Sequence, residues 1–319
     1  MKLKKLILIA ISGVLLLSSL FGCSKSSEDV VAKFEEVKYA VVSENNVSPD
    51  GFVYGLYENN TAFITGIKTP SEEVIIPDTV NEYKVVEIGA DAFNGNETIR
   101  LLTLGKHVEK IGENAFSDCA ALLRVDMTEN VKSISGSAFY NCEALCEVRG
   151  ATGLVYIDEA AFYNCNSMAR FDFPKTVEVI GNEAFGACES LVEVKLPQKI
   201  KSVGYGAFSY CSSLSRIDLG GLTEIPEKAF LRCSSLGKVV IGEKITSMGV
   251  QAFRGCDKLK DVYIYEGIKT IGDSALAMCP SLQIRYSGSE DQWQKITVEK
   301  GNDFTNVNIS YKQKLDSGK

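Results

Sequence analysis

The chain has 319 residues, a formal charge of −7, ten cysteines, one histidine (His107) and one tryptophan (Trp293). The acidic balance excludes non-specific nucleic-acid binding, which needs a basic surface. A single His cannot build a His-rich metal site and leaves little room for Cys/His or Ser/His catalysis. No H-E-x-x-H, G-x-S-x-G, G-x-x-x-x-G-K-[ST], C-x-x-C or EF-hand pattern occurs,. The sequence therefore predicts no enzyme, no cofactor and no metal site. His107 reads as an exposed turn residue.

Lys2, Lys4 and Lys5 precede an apolar run from Leu6 to Phe21, and Cys23 follows. A basic start, an apolar stretch and a small residue before Cys describe an export signal. Leu20-Phe21-Gly22-Cys23 resembles the lipobox of bacterial lipoproteins, apart from Phe21, where a smaller residue is commoner. That resemblance implies cleavage after residue 22, diacylglyceryl transfer to the Cys23 thiol and a stable lipid anchor in a membrane. Residues 24–33 are polar and read as a tether. Residues 34–84 read as an N-terminal β cap and hairpin.

From there a repeat takes over. Ala-Phe recurs with Phe at 93, 116, 139, 162, 185, 208, 230 and 253, at intervals of 23 residues with one of 22. Ala275-Leu276 continues the series. Cys follows three residues later at 119, 142, 165, 188, 211, 233, 256 and 279, with Asn96 in the first repeat. Leu or its like follows three after that. The alternation at Phe171 and Phe173 predicts a short strand. Pro174, Pro197 or a glycine then turns the chain, and Val177 and Ile180 face inward again. Ala184, Phe185, Cys188 and Leu191 fit one helical or 3₁₀ turn. No single repeat buries its own apolar face, so about nine coils must stack into a solenoid over residues 85–282. The glycine after the second inward Ile is replaced by Ser135, Asp158 and Pro226. Proline cannot take a positive φ, so that glycine serves close packing.

The recurring I-G-x-x-A-F-x-x-C-x-x-L resembles the BspA-like leucine-rich repeat family of bacterial surface proteins. FVYGLYENNTAFITGIKT is similar to that family's N-terminal hairpin, and YSGSEDQWQKITVEKGNDFTNVNISY to its C-terminal segment. The resemblance implies a leucine-rich-repeat solenoid of short parallel strands, capped at both ends. It also implies attachment to host proteins or other cells. Residues 283–319 then form the C-terminal cap and tail, with Trp293 over the last repeat.

Phe116, Phe139, Phe162, Phe185 and Phe208 form one structural ladder, and Cys119, Cys142, Cys165, Cys188 and Cys211 a second. Stacked cysteines have parallel Cβ vectors, so they read as free buried thiols rather than disulfides. Cys146 lies off the column. On the outward strand face, Arg124, Glu147, Arg170, Glu193 and Arg216 alternate in sign. Asp126, Arg149, Asp172, Lys195 and Asp218 alternate in the opposite phase. This checkerboard neutralises itself along and across strands. It ends near the C-terminus, where Val240, Tyr263, Tyr265 and Tyr286 mark a candidate binding surface. The expected function is a lipid-anchored surface protein that binds a protein or glycan on a host or neighbouring cell. A structural envelope scaffold without an external ligand is the alternative.

Overall fold

A computed structural model describes residues 39–69 and 71–312. The leader, Cys23 and the tether lie outside the described residues. The described residues form a β-solenoid of about eleven turns with almost no helix.

Most turns lay down a strand of three or four residues on a wide face and a two-residue strand on a narrow face. Wide-face strands 101–103, 124–126 and 147–149 pair in parallel and in register. On the narrow face Ile111, Ile134, Ile157 and Ile180 lie in one register column. The period of 23 dictates this, because each coil brings the same backbone position beside its copy in the next. Inward Val and Ile on both faces, and Ala, Phe, Cys and Leu from the corner between coils, fill one continuous core.

The array is longer than its sequence signature. Strands 73–75 and 308–310 add a coil at either end, paired with 101–103 and 283–285. End coils have a neighbour on one side only, so they need not carry the repeated Phe and Cys. At the N-terminus β1 (Val41–Val47), β2 (Phe52–Tyr57) and β3 (Thr61–Ile67) form an antiparallel meander. β3 then joins the narrow-face sheet in parallel with 83–88. Phe52, Tyr54, Ala62 and Ile64 bury the open end of the core. At the other end Ser289 caps the helix Glu290–Trp293 through a capping box,. That helix sets Trp293, 9% exposed, edge-on to the buried Tyr286.

Of the helical or 3₁₀ turn expected over 184–191, the corner keeps only the i→i+3 bonding of the 3₁₀ alternative. It is a run of β-turns closed by i→i+3 bonds, such as Gly186 N–H to Glu183 and Leu191 N–H to Cys188. Residues two before and two after each Phe adopt positive φ: Glu183 at 51° and Ala187 at 55° flank Phe185. A left-handed residue every fourth position forbids a right-handed helical turn. The repeated glycine has no positive φ. A Cβ on Gly181 or Gly204 would meet the previous coil's backbone at 2.5 and 2.4 Å. Close packing is the reason for it, as the Pro226 substitution implies.

The strand expected at Phe171 and Phe173 does not form. Only Arg170 makes a bridge, to Glu193. Gly150 stands where the previous coil has the inward Met127, at φ 76°, against the Met127 carbonyl. Strand 147–149 is as long as those before it, yet the next coil adds no strand beside it. Phe171 and Phe173 instead wedge their rings against Phe185, at 5.0 and 5.2 Å between centroids. A second seam separates 216–218 from 238–241. It follows the coil that is one residue short, where Gly220 at φ 57° tightens the turn.

Candidate binding surface

The core columns fix where every surface residue can stand. Phenyl rings from Phe93 to Phe253 stack at centroid separations such as 5.1 Å (Phe93–Phe116) and 5.6 Å (Phe208–Phe230), within 8° of parallel except at Phe185, which lies 17° from Phe162 and 13° from Phe208. Each column thiol donates to the carbonyl of the Phe one coil back: Cys142 to Phe116 at 3.1 Å, Cys188 to Phe162 at 3.1 Å. All eight are free and buried. Burial pushes the Cys119 thiol up to about 11 and the Cys188 thiol up to about 12. Asn96 at the head of the column accepts instead from Thr98 and Ile99 N–H. Cys146 is exposed.

On the wide face the expected register is present: Arg124 opposes Glu147, Asp126 opposes Arg149, and Glu193 opposes Arg216. The closest ion pairs lie within single coils. Arg124 reaches Asp126 at 2.9 Å, Arg149 reaches Glu147 at 2.7 Å, and Arg170 reaches Asp172 at 2.6 Å. Across strands Arg216 meets Glu193 at 3.5 Å. These are exposed pairs, screened by solvent and salt. Their effect is to leave this stretch of sheet without a net field.

Beyond the second seam the strands lengthen to four residues: 238–241, 261–264 and 283–286. Val240, Tyr263 and Arg285 share one register row. The structure brings Val240 and Tyr263 together, both half-buried, with Tyr265 half-buried just past the strand end. It does not bring Tyr286 to the surface. Tyr286 is 2% exposed, because the fourth residue of its strand points inward against Trp293. Tyr286 is therefore a core residue and leaves the candidate surface.

Two residues missed in the sequence complete the surface. Lys238 Nζ lies 4.6 Å from the Tyr263 ring centroid, and the Arg285 guanidinium carbon lies 5.3 Å from it. They come from the strands on either side, so the ring is gripped between two cations. Asp261 in turn holds Arg285 at 3.0 Å. Both residues were legible as outward positions; their reach onto the ring is set by side-chain length, which periodicity does not encode. Among the described residues no group of His, Cys, Asp and Glu is arranged to hold a metal ion. None of their helices is long and apolar enough to cross a membrane. His107 sits in a turn, half-buried.

The BspA type leucine rich repeat region matches residues 68–174 and 155–283, in six copies. Among curated proteins, none matches the chain. Three solved structures are similar to it. A leucine rich cell surface protein from Faecalibacterium prausnitzii is 23% identical, over 83% of this chain and 100% of its own, with a TM-score of 0.42. The T. pallidum leucine rich repeat protein is 21% identical, over 81% and 100%, with a TM-score of 0.45. The pneumococcal vaccine antigen PcpA is 14% identical, over 85% and 98%, with a TM-score of 0.35. The repeats, their register and the family match agree: the chain belongs to the BspA-type leucine-rich repeat family.

Proposed function

We propose that this is an exported, lipid-anchored surface protein whose solenoid binds a partner protein and carries no catalytic step. The observation that supports it is the change in the wide face. A self-neutralised ladder gives way, past the second seam, to Tyr263 held rigid between Lys238 and Arg285. A pre-ordered aromatic side chain loses little entropy on binding, and Tyr and Arg are enriched in interface cores. Similarity to a leucine rich cell surface protein supports the location. The Leu20–Cys23 motif supports the anchor.

The test is a binding screen of the full chain against extracellular-matrix proteins, with glycans as a second panel. Tyr263→Ala runs alongside. Saturable protein binding lost in the variant, with an unchanged circular dichroism spectrum, supports the reading. Binding to glycans alone, or binding that ignores Tyr263, overturns this site. The burial of Tyr286 favours a second reading, a scaffold within the envelope. Silence across both panels, with cross-linking to envelope proteins, would establish it.

A further inference from the structure

A second surface lies on the corner edge, away from the wide face. Tyr140 and Tyr163 occupy the position after Phe in successive coils, and their rings stack at 5.4 Å and 11°. Gly186 takes the same position in the next coil. A Cβ there would meet the Tyr163 ring at 2.8 Å, so the ring lies flat over the Gly186 backbone. One coil further, Tyr210 stands 52% exposed. Together they make an aromatic ledge along the solenoid axis.

The ledge has charge of one sign. Corner segments 134–145, 157–168 and 180–191 carry five carboxylates (Glu143, Asp158, Glu159, Glu183 and Glu189) and no Lys, Arg or His. The next corner, 203–214, has no charged residue; basic side chains return with Lys228 and Arg232. None of the five carboxylates takes part in the ion pairs of the described residues. This contrasts with the wide face, where the charges are mostly paired. The acids also feel one another and the ring. Glu159 is pushed up by burial and then by Asp158 and Glu183. Tyr163 is pushed up by burial and then by Glu183.

We propose that the Tyr140–Tyr163–Tyr210 ledge, with Glu159 and Glu183 beside it, is a docking site for an extended segment of a partner protein bearing lysine or arginine on alternate residues. Charge complementarity selects the partner: uncompensated carboxylates attract cations, and tyrosine faces accept them through cation–π contacts. Geometry selects an extended chain. Coils repeat about every 4.8 Å along the axis, and alternate side chains of a strand lie about 6.8 Å apart. About three such cations span the roughly 14 Å from Tyr140 to Tyr210. The site is separate from the Tyr263 surface, whose ring already has cations on both sides.

The test uses the full chain and a fluorescein-labelled peptide of six Lys-Ser repeats, with six Glu-Ser repeats as control. Anisotropy should show saturable binding of the lysine peptide only. Tyr163→Ser with Tyr210→Ser should weaken it about tenfold. Glu159→Gln with Glu183→Gln should weaken it at least as much. Glu109→Gln with Glu243→Gln, the same charge change on exposed acids elsewhere, should move it less than twofold. An equal loss in that control pair, or none in the ledge variants, overturns the proposal. Displacement by spermine at the peptide's own concentration would assign the site to a small polyamine instead and overturn the polypeptide assignment. Circular dichroism melts of each variant separate lost binding from lost folding. The Tyr263→Ala screen is read independently, so either site can fail alone.

Discussion

Cys165 Sγ donates to the carbonyl of Phe139 at 3.2 Å, across one full coil of the solenoid. The same bond recurs up the column and ties the thiol of each coil to the phenyl-bearing turn of the coil before. A thiol is small and apolar enough for a dry corner, yet its S–H satisfies a buried carbonyl. The Phe162 carbonyl also accepts the Cys165 N–H at 3.3 Å, so Cys188→Ala should lower stability by about 0.5–1.5 kcal/mol, the net worth of one hydrogen bond. Urea denaturation measures this, and a loss below a few tenths would mean the bond is incidental.

The same burial predicts which thiols react. Of the nine described cysteines, Cys146 alone is exposed. Ellman's reagent at pH 8 should label Cys146 at once and the eight column thiols only on unfolding. Fast labelling of more than one described thiol in the native protein would show that the corner opens freely.

The raised thiols also set an alkaline limit. Cys119, Cys188 and Cys279 sit at about 11, 12 and 11 against an ordinary 9.0. Cys142, Cys165, Cys211, Cys233 and Cys256 are raised as well, all chiefly by burial. Below pH 9 the thiols are neutral folded and unfolded, and their contribution is fully present. Above it the unfolded chain releases protons that the folded chain retains. Stability therefore falls as pH rises toward the folded values, by up to about 1.4 kcal/mol per pH unit for each thiol. Melting temperature should hold to pH 8.5 and drop steeply between 9 and 11. A flat profile to pH 10.5 would contradict the burial.

Much of this was legible in the sequence because a solenoid repeats its environments. A position buried between two copies of itself keeps one residue type, so the Phe and Cys columns, the inward Ile and the outward charge ladder announce themselves at one period. The end coils at 73–75 and 308–310 do not, since they have one neighbour and no reason to keep the motif. The left-handed residues around each Phe were hidden for another reason. Asn114, Ser137, Ala160, Glu183 and Lys228 all take φ near 50–55° at equivalent positions. The coil's hydrogen bonds impose the conformation and the side chain has no say. On the surface, the outward place of Tyr263 was readable, but the cations on its ring and the inward turn of Tyr286 depend on side-chain reach and strand length.

That imposed backbone gives a stability prediction. A left-handed L-residue costs about 1–2 kcal/mol relative to glycine in the same place. Glycine gives back roughly 0.4–1 kcal/mol through the unfolded chain. Ala187→Gly, at φ 55°, should therefore be neutral to stabilising by about 1 kcal/mol,. Gly206→Ala, at φ 59° two residues before Phe208, the place Glu183 holds before Phe185, should destabilise by a similar amount,. Paired denaturation curves decide it; the same sign for both substitutions would refute the argument.

The aromatic wedge predicts where the array is most sensitive. Phe185 touches four rings: Phe162, Phe171, Phe173 and Phe208. Phe230 touches two, Phe208 and Phe253. Truncating a buried Phe costs about 3–5 kcal/mol through lost burial and the cavity left behind. Each edge-on aromatic contact adds about 0.5–1.5 kcal/mol. Phe185→Ala should thus exceed Phe230→Ala by about 1–3 kcal/mol. Its effect should also differ in kind. Around Phe171 the wide-face ladder is already broken, so the rings share the coupling there with the narrow-face ladder and the corner hydrogen bonds alone. Removing Phe185 should split a single unfolding transition into two, whereas Phe230→Ala should shift one transition intact. Fluorescence of Trp293, which reports the C-terminal half, would then separate from the far-ultraviolet signal of the whole chain. Coincident curves in the Phe185 variant would show that coupling across the seam does not depend on the wedge.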